Sequence, residues 1–239
     1  TTMDRERQDH LDAIFNGDAY KWENEFVNAG VAVLDVKTGA IAAVGAGRNH
    51  NGQRLFNFAT MTKRQIGSTA KPLYDYAPGI EYNNWSTYHP FTDEPHTYTG
   101  GTSIKNWDSK YSGFNTLRDA LKASRNIPAL KAFQSVSNKN IKEFTTSIGL
   151  SPELEGNLVH EAHALGGYNG ESPLTLAAAY RSFASGGYYT EPYSFTKIIY
   201  KETAEVYEHK AVKERVMSEA TAYMVTDVLL DAAKYGLGS

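Results

Sequence analysis

Two apolar runs joined by a short turn are the feature that most constrains the fold of this chain. The runs cover residues 30–36 and 40–47, and Lys37-Thr38-Gly39 separates them. Because each run is nearly continuous instead of alternating with polar residues, both faces of such strands need to be covered by other parts of the protein. The glycine supplies the backbone freedom that a tight hairpin turn needs. The runs therefore predict a hairpin in the middle of a covered sheet.

Helices are predicted from capping residues and apolar spacing. Ser172-Pro173 opens one helix and Gly186-Gly187 closes it, because Pro is favoured at the first helical position and Gly just beyond the last. The other helices predicted by these signals cover residues 4–15, ending near Gly17, residues from Asn115 toward Ser124, and residues 218–235.

Strands and loops complete the outline of the fold. Residues 193–200 and 204–208 predict a strand pair, and residues 82–107, which are rich in polar residues, Gly and Pro without a clear period, predict a long loop. Helices before, between and after strand pairs indicate an α+β fold. We expect an antiparallel central sheet flanked by helices, plus a helical lobe.

Composition excludes several classes of function. The 239 residues carry 24 Lys and Arg against 27 Asp and Glu, so there is no basic footprint for nucleic acid. Since the chain has no Cys, a nucleophile would have to be an oxygen or a nitrogen, and thiolate metal sites are excluded. No apolar stretch approaches the roughly 18 residues that a membrane span needs, and no signal peptide is present.

The strongest local motif is Ser68-x-x-Lys71, preceded by Gly67 and followed by Pro72. Because Pro is tolerated in the first turn of a helix, the motif predicts a helix that starts at Ser68. Lys71 then lies on the same face one turn later, within reach of the serine hydroxyl. A lysine desolvated in a cleft can be neutral enough to activate a serine nucleophile. The alternative is a serine N-cap followed by a solvated lysine, since such short patterns recur by chance.

A second element, Ser124-Arg125-Asn126, strengthens the functional interpretation of the first motif. Pro128 is expected to stop the preceding helix, so that Ser124 and Asn126 project from a loop. On its own this pattern also fits a C-terminal helix cap. In order and spacing, however, the pair resembles the penicillin-recognising serine acyltransferases, whose signature is S-x-x-K, then S-D-N or a variant, then K-T-G.

The other short motifs are rejected. Lys37-Thr38-Gly39 precedes Ser68 and lies in the predicted hairpin turn, and no Lys-Thr/Ser-Gly follows Asn126, so the third element is missing from the chain. A second S-x-x-K, at Ser194, falls in a strand-like segment where residues three apart point to opposite faces. His160 and His163 are three residues apart, whereas the H-E-x-x-H zinc motif needs four, so we interpret them as surface histidines.

Taken as a whole, the chain resembles the transpeptidase domain of class A (bifunctional) penicillin-binding proteins, with a Gram-positive source suggested. The segments that carry the likeness are residues 1–14, 29–47, 104–113, 116–129 and 164–187. The resemblance implies the penicillin-binding, β-lactamase-like α+β fold. It also implies that residues 1–239 form one incomplete transpeptidase domain, with the C-terminal strands that carry K-T-G missing.

The resemblance assigns a role to each motif residue. Ser68 would attack the D-Ala-D-Ala end of a peptidoglycan stem peptide, Lys71 would act as base, Ser124 would relay a proton to the leaving amine, and Asn126 would hold Lys71 and the substrate amide. An amine of a neighbouring stem would then resolve the acyl-enzyme into a cross-link, with carboxypeptidase activity as a side reaction. β-Lactams would acylate the same serine, and neither a cofactor nor a metal would take part.

The resemblance also implies partners and a location. The partners are donor and acceptor stem peptides, β-lactam antibiotics, a segment carrying the missing K-T-G and an N-terminal glycosyltransferase domain, but no nucleic acid. The location is the extracytoplasmic face of the bacterial cell membrane, with an N-terminal membrane helix outside this chain as the anchor. A β-lactamase and a non-catalytic β-lactam sensor domain are the alternatives that the same motifs fit.

Overall fold

The computed structural model describes residues 1–49 and 52–237. The described α-helices are α1 (Arg5–Asn16), α2 (Ala77–Asn83), α3 (Leu117–Lys122), α4 (Asn126–Ser135), α5 (Asn138–Ser147), α6 (Pro173–Ala184) and α7 (Glu219–Tyr235). Two 3₁₀ turns, Gly67–Ala70 and Glu161–Leu165, and a π-helical turn, Lys71–Tyr76, accompany them.

The described strands form six antiparallel pairs of two strands each. The pairs are β1 (Val31–Leu34) with β2 (Ile41–Gly45), β3 (Pro90–Asp93) with β6 (Gly113–Thr116), β4 (His96–Thr97) with β5 (Ser103–Ile104), β7 (Leu154–Glu155) with β8 (Leu158–Val159), β9 (Tyr188–Tyr189) with β12 (Glu214–Arg215), and β10 (Lys197–Ile199) with β11 (Val206–Glu208).

The β1–β2 hairpin has the predicted position in the chain and is covered by helices, but among the described residues it is a sheet of two strands and not the middle of a larger sheet. Gly39 lies in its turn with a φ of 81°. Helix α1 packs so closely on β2 that a Cβ on Gly45 would come within 2.2 Å of the Phe15 ring. Arg181 of α6 reaches the turn and donates to the Asp35 carbonyl at 3.3 Å. Helices therefore pack against both strands, as the continuous apolar runs require.

The predicted helix ends are confirmed where a capping residue marks them. Asp4, Ser172 and Ser218 accept N–H groups of α1, α6 and α7 with their side chains. Gly17 closes α1 in the left-handed conformation, with a φ of 90°. The helix predicted from Asn115 begins two residues later, because Asn115 belongs to β6 and Thr116 is the N-cap of α3.

The prediction of a long loop over residues 82–107 is only partly correct. Three short strands, β3 to β5, lie in this segment, and β3 pairs with β6 from outside it. Strands of two to four residues are too short to show a period, so their sequence looked irregular. The consequence for the site is that Asp93, the last residue of β3, becomes buried in the helical lobe.

The helical lobe has its core around the segment that follows Gly67. Tyr74, Tyr76 and Leu73 are fully buried and belong to one hydrophobic cluster that also includes residues of α2 to α7. Over the stretch that the structure describes, none of the helices is both long and apolar enough to cross a bilayer.

Candidate active site

Ser68 lies on an exposed turn at the start of the helical segment that runs to Asn83. Gly67 has a φ of 55°, which an L side chain rarely adopts. The backbone of a neighbouring segment presses against this turn: a Cβ on Gly166 would lie 2.3 Å from the Gly67 nitrogen, and one on Gly170 would lie 1.6 Å from the Arg64 oxygen. The position of the serine is therefore fixed by close backbone packing on its N-terminal side.

A wide turn separates Ser68 from α2 and contains Lys71. The Ala77 N–H donates to the Pro72 carbonyl, five residues earlier, which makes this turn π-helical. In a regular α-helix the Pro78 ring would clash with the carbonyl four residues before it, and the wider turn relieves that clash. Pro72 falls in the first turns of the segment, as the motif predicted.

Lys71 has no exposed surface, although it carries an ammonium group. Its Nζ donates to the Ser124 carbonyl at 2.7 Å, to Ser124 Oγ at 3.0 Å and to Asn126 Oδ1 at 2.8 Å. An ammonium has three donors, so these three acceptors satisfy it completely. The structure thus brings three of the four predicted site residues into direct contact.

Ser68 is not part of this hydrogen-bonded group. No hydrogen bond joins the Ser68 hydroxyl to Lys71 within the described residues. The Ser68 N–H lies in the first turn, where a helix offers no acceptor, and it donates to no carbonyl of the described chain. Ser68 is exposed, so its hydroxyl is accessible to a bound substrate, and its N–H has no carbonyl partner among the described residues.

The geometry of the second motif differs from the prediction. Ser124 does lie in a turn, between α3 and α4, with a φ of 49°. Asn126, however, is the first residue of α4 and not a loop residue, and Pro128 does not block a helix but lies in the first turn of this one. Pro is tolerated there because the N–H groups of the first turn have no partner within the helix.

Asn126 is held at both ends of its side chain and at its backbone. The side-chain Oδ1 accepts from Lys71, while Nδ2 donates to the Lys105 carbonyl at 2.9 Å. The Asn126 N–H donates to Asn106 Oδ1 at 2.8 Å. Asn106 lies in the segment 104–113 that carries the family likeness, but its part in fixing Asn126 was not predicted from the sequence.

Burial controls the charge of Lys71. Burial lowers the pKa of Lys71 to about 8; the nearby Asp75 carboxyl acts in the opposite direction, and the Arg125 guanidinium lowers the pKa further. The pKa of a lysine shifts readily on burial, and a pKa near 8 suits a general base at physiological pH.

Asp75, one turn after Lys71, was missed by the sequence analysis. It is fully buried, and neither of its carboxyl oxygens has a hydrogen-bond partner among the described residues. Burial raises the pKa of Asp75 well above its ordinary value, with Lys71 acting against this shift. An unpartnered buried carboxylate is costly, so the raised pKa favours a neutral carboxyl group.

The rejected motifs have structural roles. In the β1–β2 turn, Asp35 Oδ1 accepts from the Thr38 N–H at 2.8 Å and from its hydroxyl at 2.7 Å. His160 caps the 3₁₀ turn Glu161–Leu165. His163 is not a surface histidine, as predicted, but is buried and stacked on Tyr168. In the part of the chain that the structure describes, no cluster of His, Asp and Glu could hold a metal ion.

Comparison with known sequences agrees with the geometry of the site. A sequence profile described as "Penicillin binding protein transpeptidase domain" matches residues 29–239. Penicillin-binding protein 1A/1B of Bacillus subtilis (strain 168) is 44% identical over 241 aligned positions, which cover 100% of this chain and 26% of the relative. Penicillin-binding protein 1A of Streptococcus pneumoniae (strain R6) is 35% identical over 100% of this chain and 34% of its own length. The chain thus spans 26 to 34% of the length of these two relatives.

Solved structures share the fold. Penicillin-Binding Protein 1A from Haemophilus influenzae superposes with a TM-score of 0.75 and 26% identity, over 89% of this chain and 36% of that one. The penicillin-binding protein PonA1 from Mycobacterium tuberculosis gives a TM-score of 0.82 over 98% of this chain and 63% of that one, and at 21% identity this likeness concerns the fold alone. The chain therefore belongs to the penicillin-binding protein transpeptidase domains, and its relatives place it with those of the class A proteins.

Proposed function

We propose that this chain is the catalytic part of a serine D,D-transpeptidase, with Ser68 as the nucleophile and Lys71, Ser124 and Asn126 as its proton-transfer group. One observation carries the proposal. The ammonium of a fully buried lysine is bound by a second motif that lies 53 and 55 residues further along the chain. A serine N-cap followed by a solvated lysine would need no such partners.

The acylation step uses the neutral form of Lys71. Ser68 Oγ attacks the carbonyl of the penultimate D-Ala, the bond to the terminal D-Ala breaks, and an acyl-enzyme remains. Lys71 takes the serine proton. With a pKa of about 8, roughly a tenth of Lys71 is neutral at pH 7, whereas an unshifted lysine would be almost entirely charged. Asn126, which holds Lys71, would also position the substrate amide.

The proton then returns to the leaving group through Ser124. Ser124 Oγ lies 3.0 Å from Lys71 Nζ, so it can accept a proton from the ammonium and give its own to the departing amine. As a neutral amine, Lys71 has two donors and one lone pair, and of its three partners only the Ser124 hydroxyl can donate to that lone pair. Ser124 is therefore the group through which Lys71 exchanges protons with the leaving group, and Lys71 ends the step neutral.

The second step runs the same route in reverse. The amine of a neighbouring stem peptide attacks the acyl carbonyl and gives a proton through Ser124 to Lys71. As the ester bond to Ser68 Oγ breaks, Lys71 returns a proton to that oxygen, which forms the cross-link and frees Ser68 with Lys71 neutral. Water in place of the amine would give carboxypeptidase activity. A β-lactam imitates D-Ala-D-Ala and acylates the same serine, but its acyl-enzyme is released slowly.

The signature of the family has K-T-G as its third element, and we infer that a segment carrying it completes the site; among the 239 residues no such sequence follows Asn126. The Ser68 N–H supplies one donor to the developing oxyanion, and a strand bearing K-T-G supplies the other. In the whole protein, a glycosyltransferase domain and a membrane anchor precede this chain, which places the site on the extracytoplasmic face of the bacterial membrane.

The test is turnover of a thioester analogue of the stem peptide, followed by release of the thiol. We compare the chain alone with a chimaera in which the part of the Bacillus subtilis relative that follows its matched region is joined after residue 239. The chimaera should turn over the analogue, and the chain alone should be slower by about 100-fold or more, since one lost oxyanion donor costs that much. Equal rates for both proteins would refute the need for a further segment, and an inactive chimaera would refute the function.

A further inference from the structure

Arg125, the middle residue of the second motif, points into the protein. Its side chain is only 6% exposed and donates in three directions: Nε to Asp93 Oδ2 at 2.8 Å, Nη1 to Asp108 Oδ2 at 2.9 Å and Nη2 to the Lys110 carbonyl at 2.5 Å. A buried guanidinium is tolerated only with such partners, because its desolvation is costly. The backbone between Ser124 and Asn126 is therefore anchored through Arg125.

Asp93 is the most heavily bonded carboxylate of this group. Its Oδ1 accepts from Asn106 Nδ2 at 2.7 Å, and its Oδ2 accepts from Arg125 and from the N–H and hydroxyl of Ser112 at 3.0 and 2.7 Å. Burial acts to raise the pKa of Asp93, but the hydrogen bonds from Asn106, Ser112 and Arg125 outweigh it, and the pKa is lowered. Asp93 is thus a buried carboxylate that stays ionised.

Asn106 carries the constraint from Asp93 to the other side of the motif. While its Nδ2 donates to Asp93, its Oδ1 accepts the N–H groups of Asn126 at 2.8 Å and Ile127 at 3.3 Å. Asp93 therefore fixes two adjacent residues at once: Arg125 directly, and the backbone of Asn126 through Asn106. Ser124 directly precedes these two residues, and together Ser124 and Asn126 present the two Ser124 oxygens and Asn126 Oδ1 to Lys71.

We propose that Asp93 is a positioning residue of the acyl-transfer site, which holds Ser124 and Asn126 against Lys71 through Arg125 and Asn106. The inference rests on the proposed function, because holding Ser124 and Asn126 against Lys71 matters for acyl transfer only if these residues act in it. Asp93 touches neither Lys71 nor the exposed Ser68 hydroxyl, so its effect is exerted entirely through its partners.

Charge adds a second effect to the mechanical one. The Arg125 guanidinium lowers the pKa of Lys71, and Asp93 neutralises part of that positive charge. Without the Asp93 charge, the field at Lys71 becomes more positive and its pKa falls further. The elements packed around Lys71 carry other charged or titratable groups. They are Tyr74, Asp75 and Tyr76 on its own segment, Glu81 and Tyr82 on α2, Asp108 on Arg125, His163 against Tyr74, Lys131 paired with Glu94, Arg118 with Asp227 and Asp231, Lys122 with Asp119, Glu161 on Thr99, and Lys139, Lys142 and Glu143 on α5.

The test compares Asp93→Asn with Asp108→Asn, which removes the other carboxylate from Arg125 but makes no direct hydrogen bond to the Asn106 side chain. In the chimaera, Asp93→Asn should lower the second-order rate constant for acylation by a penicillin about 100-fold, the usual cost of a misplaced catalytic group. Asp108→Asn should stay within about threefold of the parent protein. A rate within threefold of the parent for Asp93→Asn would overturn the proposal.

Two measurements on the chain itself separate positioning from mere stability. In Asp93→Asn, the titration midpoint of Lys71, followed by NMR of ¹³C-labelled lysine, should move to lower pH, and the Asn126 amide should exchange faster with solvent. An unchanged midpoint and unchanged exchange would overturn the proposal even if acylation were lost through unfolding. Because neither readout involves acylation, failure of the proposed function would not be mistaken for failure of this inference.

A double variant covers the case in which Asp93→Asn alone does not fold. Asp93→Asn combined with Arg125→Met removes the whole buried ion pair, and such neutral replacements are commonly well tolerated. The double variant should fold and still acylate about 100-fold more slowly than the parent. A folded double variant that acylates at the parent rate would show that the pair stabilises the fold without positioning the site.

Discussion

Replacing Lys71 by Met should change the pH dependence of stability in a direction set by its burial. In the native protein the pKa of Lys71 is about 8, against 10.5 for an unburied lysine. Below pH 8 the folded protein carries the whole cost of burying the ammonium. Each pH unit between the two values is worth about 1.4 kcal/mol, so the cost is roughly 3 kcal/mol.

The sign follows from the protons bound in each state. Between pH 8 and 10.5 the unfolded chain keeps the Lys71 proton while the folded protein has released it, so stability rises with pH in this window. Relative to Lys71→Met, the parent chain should gain about 2 kcal/mol in free energy of unfolding between pH 7.5 and 9.5.

The assay is urea denaturation followed by far-UV circular dichroism at half-unit steps of pH. Lys139→Met, which removes an exposed lysine from the start of α5, serves as the matched control for all other titrating groups. If the difference between the parent and Lys71→Met does not change with pH, or falls as the pH rises, then Lys71 is not a buried lysine of lowered pKa, and the reasoning about its role as base fails.

Two further predictions concern residues around Lys71 and Ser68. Gly166→Ala would place a Cβ 2.3 Å from the Gly67 nitrogen, at a φ of 71°. This variant should slow acylation of the chimaera at least tenfold and lower the free energy of unfolding by about 1–3 kcal/mol. The control Gly100→Ala, with no atom within 4 Å of its Cβ, should do neither. Asp75→Asn should stabilise the chain at pH 7 but not near pH 4. The pKa of Asp75 is raised in the folded state, so the cost of burying its carboxyl group appears only as the pH rises through and beyond the pKa of the unfolded chain. Urea denaturation at both pH values checks this, and an equal effect at the two would contradict it.

Structural features that depend on only a few neighbouring residues were predictable from the sequence. The hairpin followed from two apolar runs and Gly39, and the helix ends followed from Ser172, Ser218 and Gly17. Each of these signals acts within a few residues of the backbone that it controls. The placement of Lys71 one turn after Ser68 is of the same kind, since Pro72 restricts where the helix can begin.

The contacts that assemble the site were not predictable in this way. Asp93, Asn106 and Arg125 lie on separate segments, and only the pairing of β3 with β6 and the packing of α4 bring them together. Strands of two to four residues are too short to produce a periodic pattern in the sequence. The buried position of Asp75 was hidden for a related reason, because the π-helical turn alters which residues of the segment face the core.

The most direct test of the central claim is intact-mass spectrometry of the chimaera after incubation with a penicillin, with peptide mapping of the product. We predict one covalent adduct, on the peptide that contains Ser68, and no adduct in Ser68→Ala. An adduct that maps to another residue, or one that persists in Ser68→Ala, would contradict the assignment of Ser68 as the nucleophile.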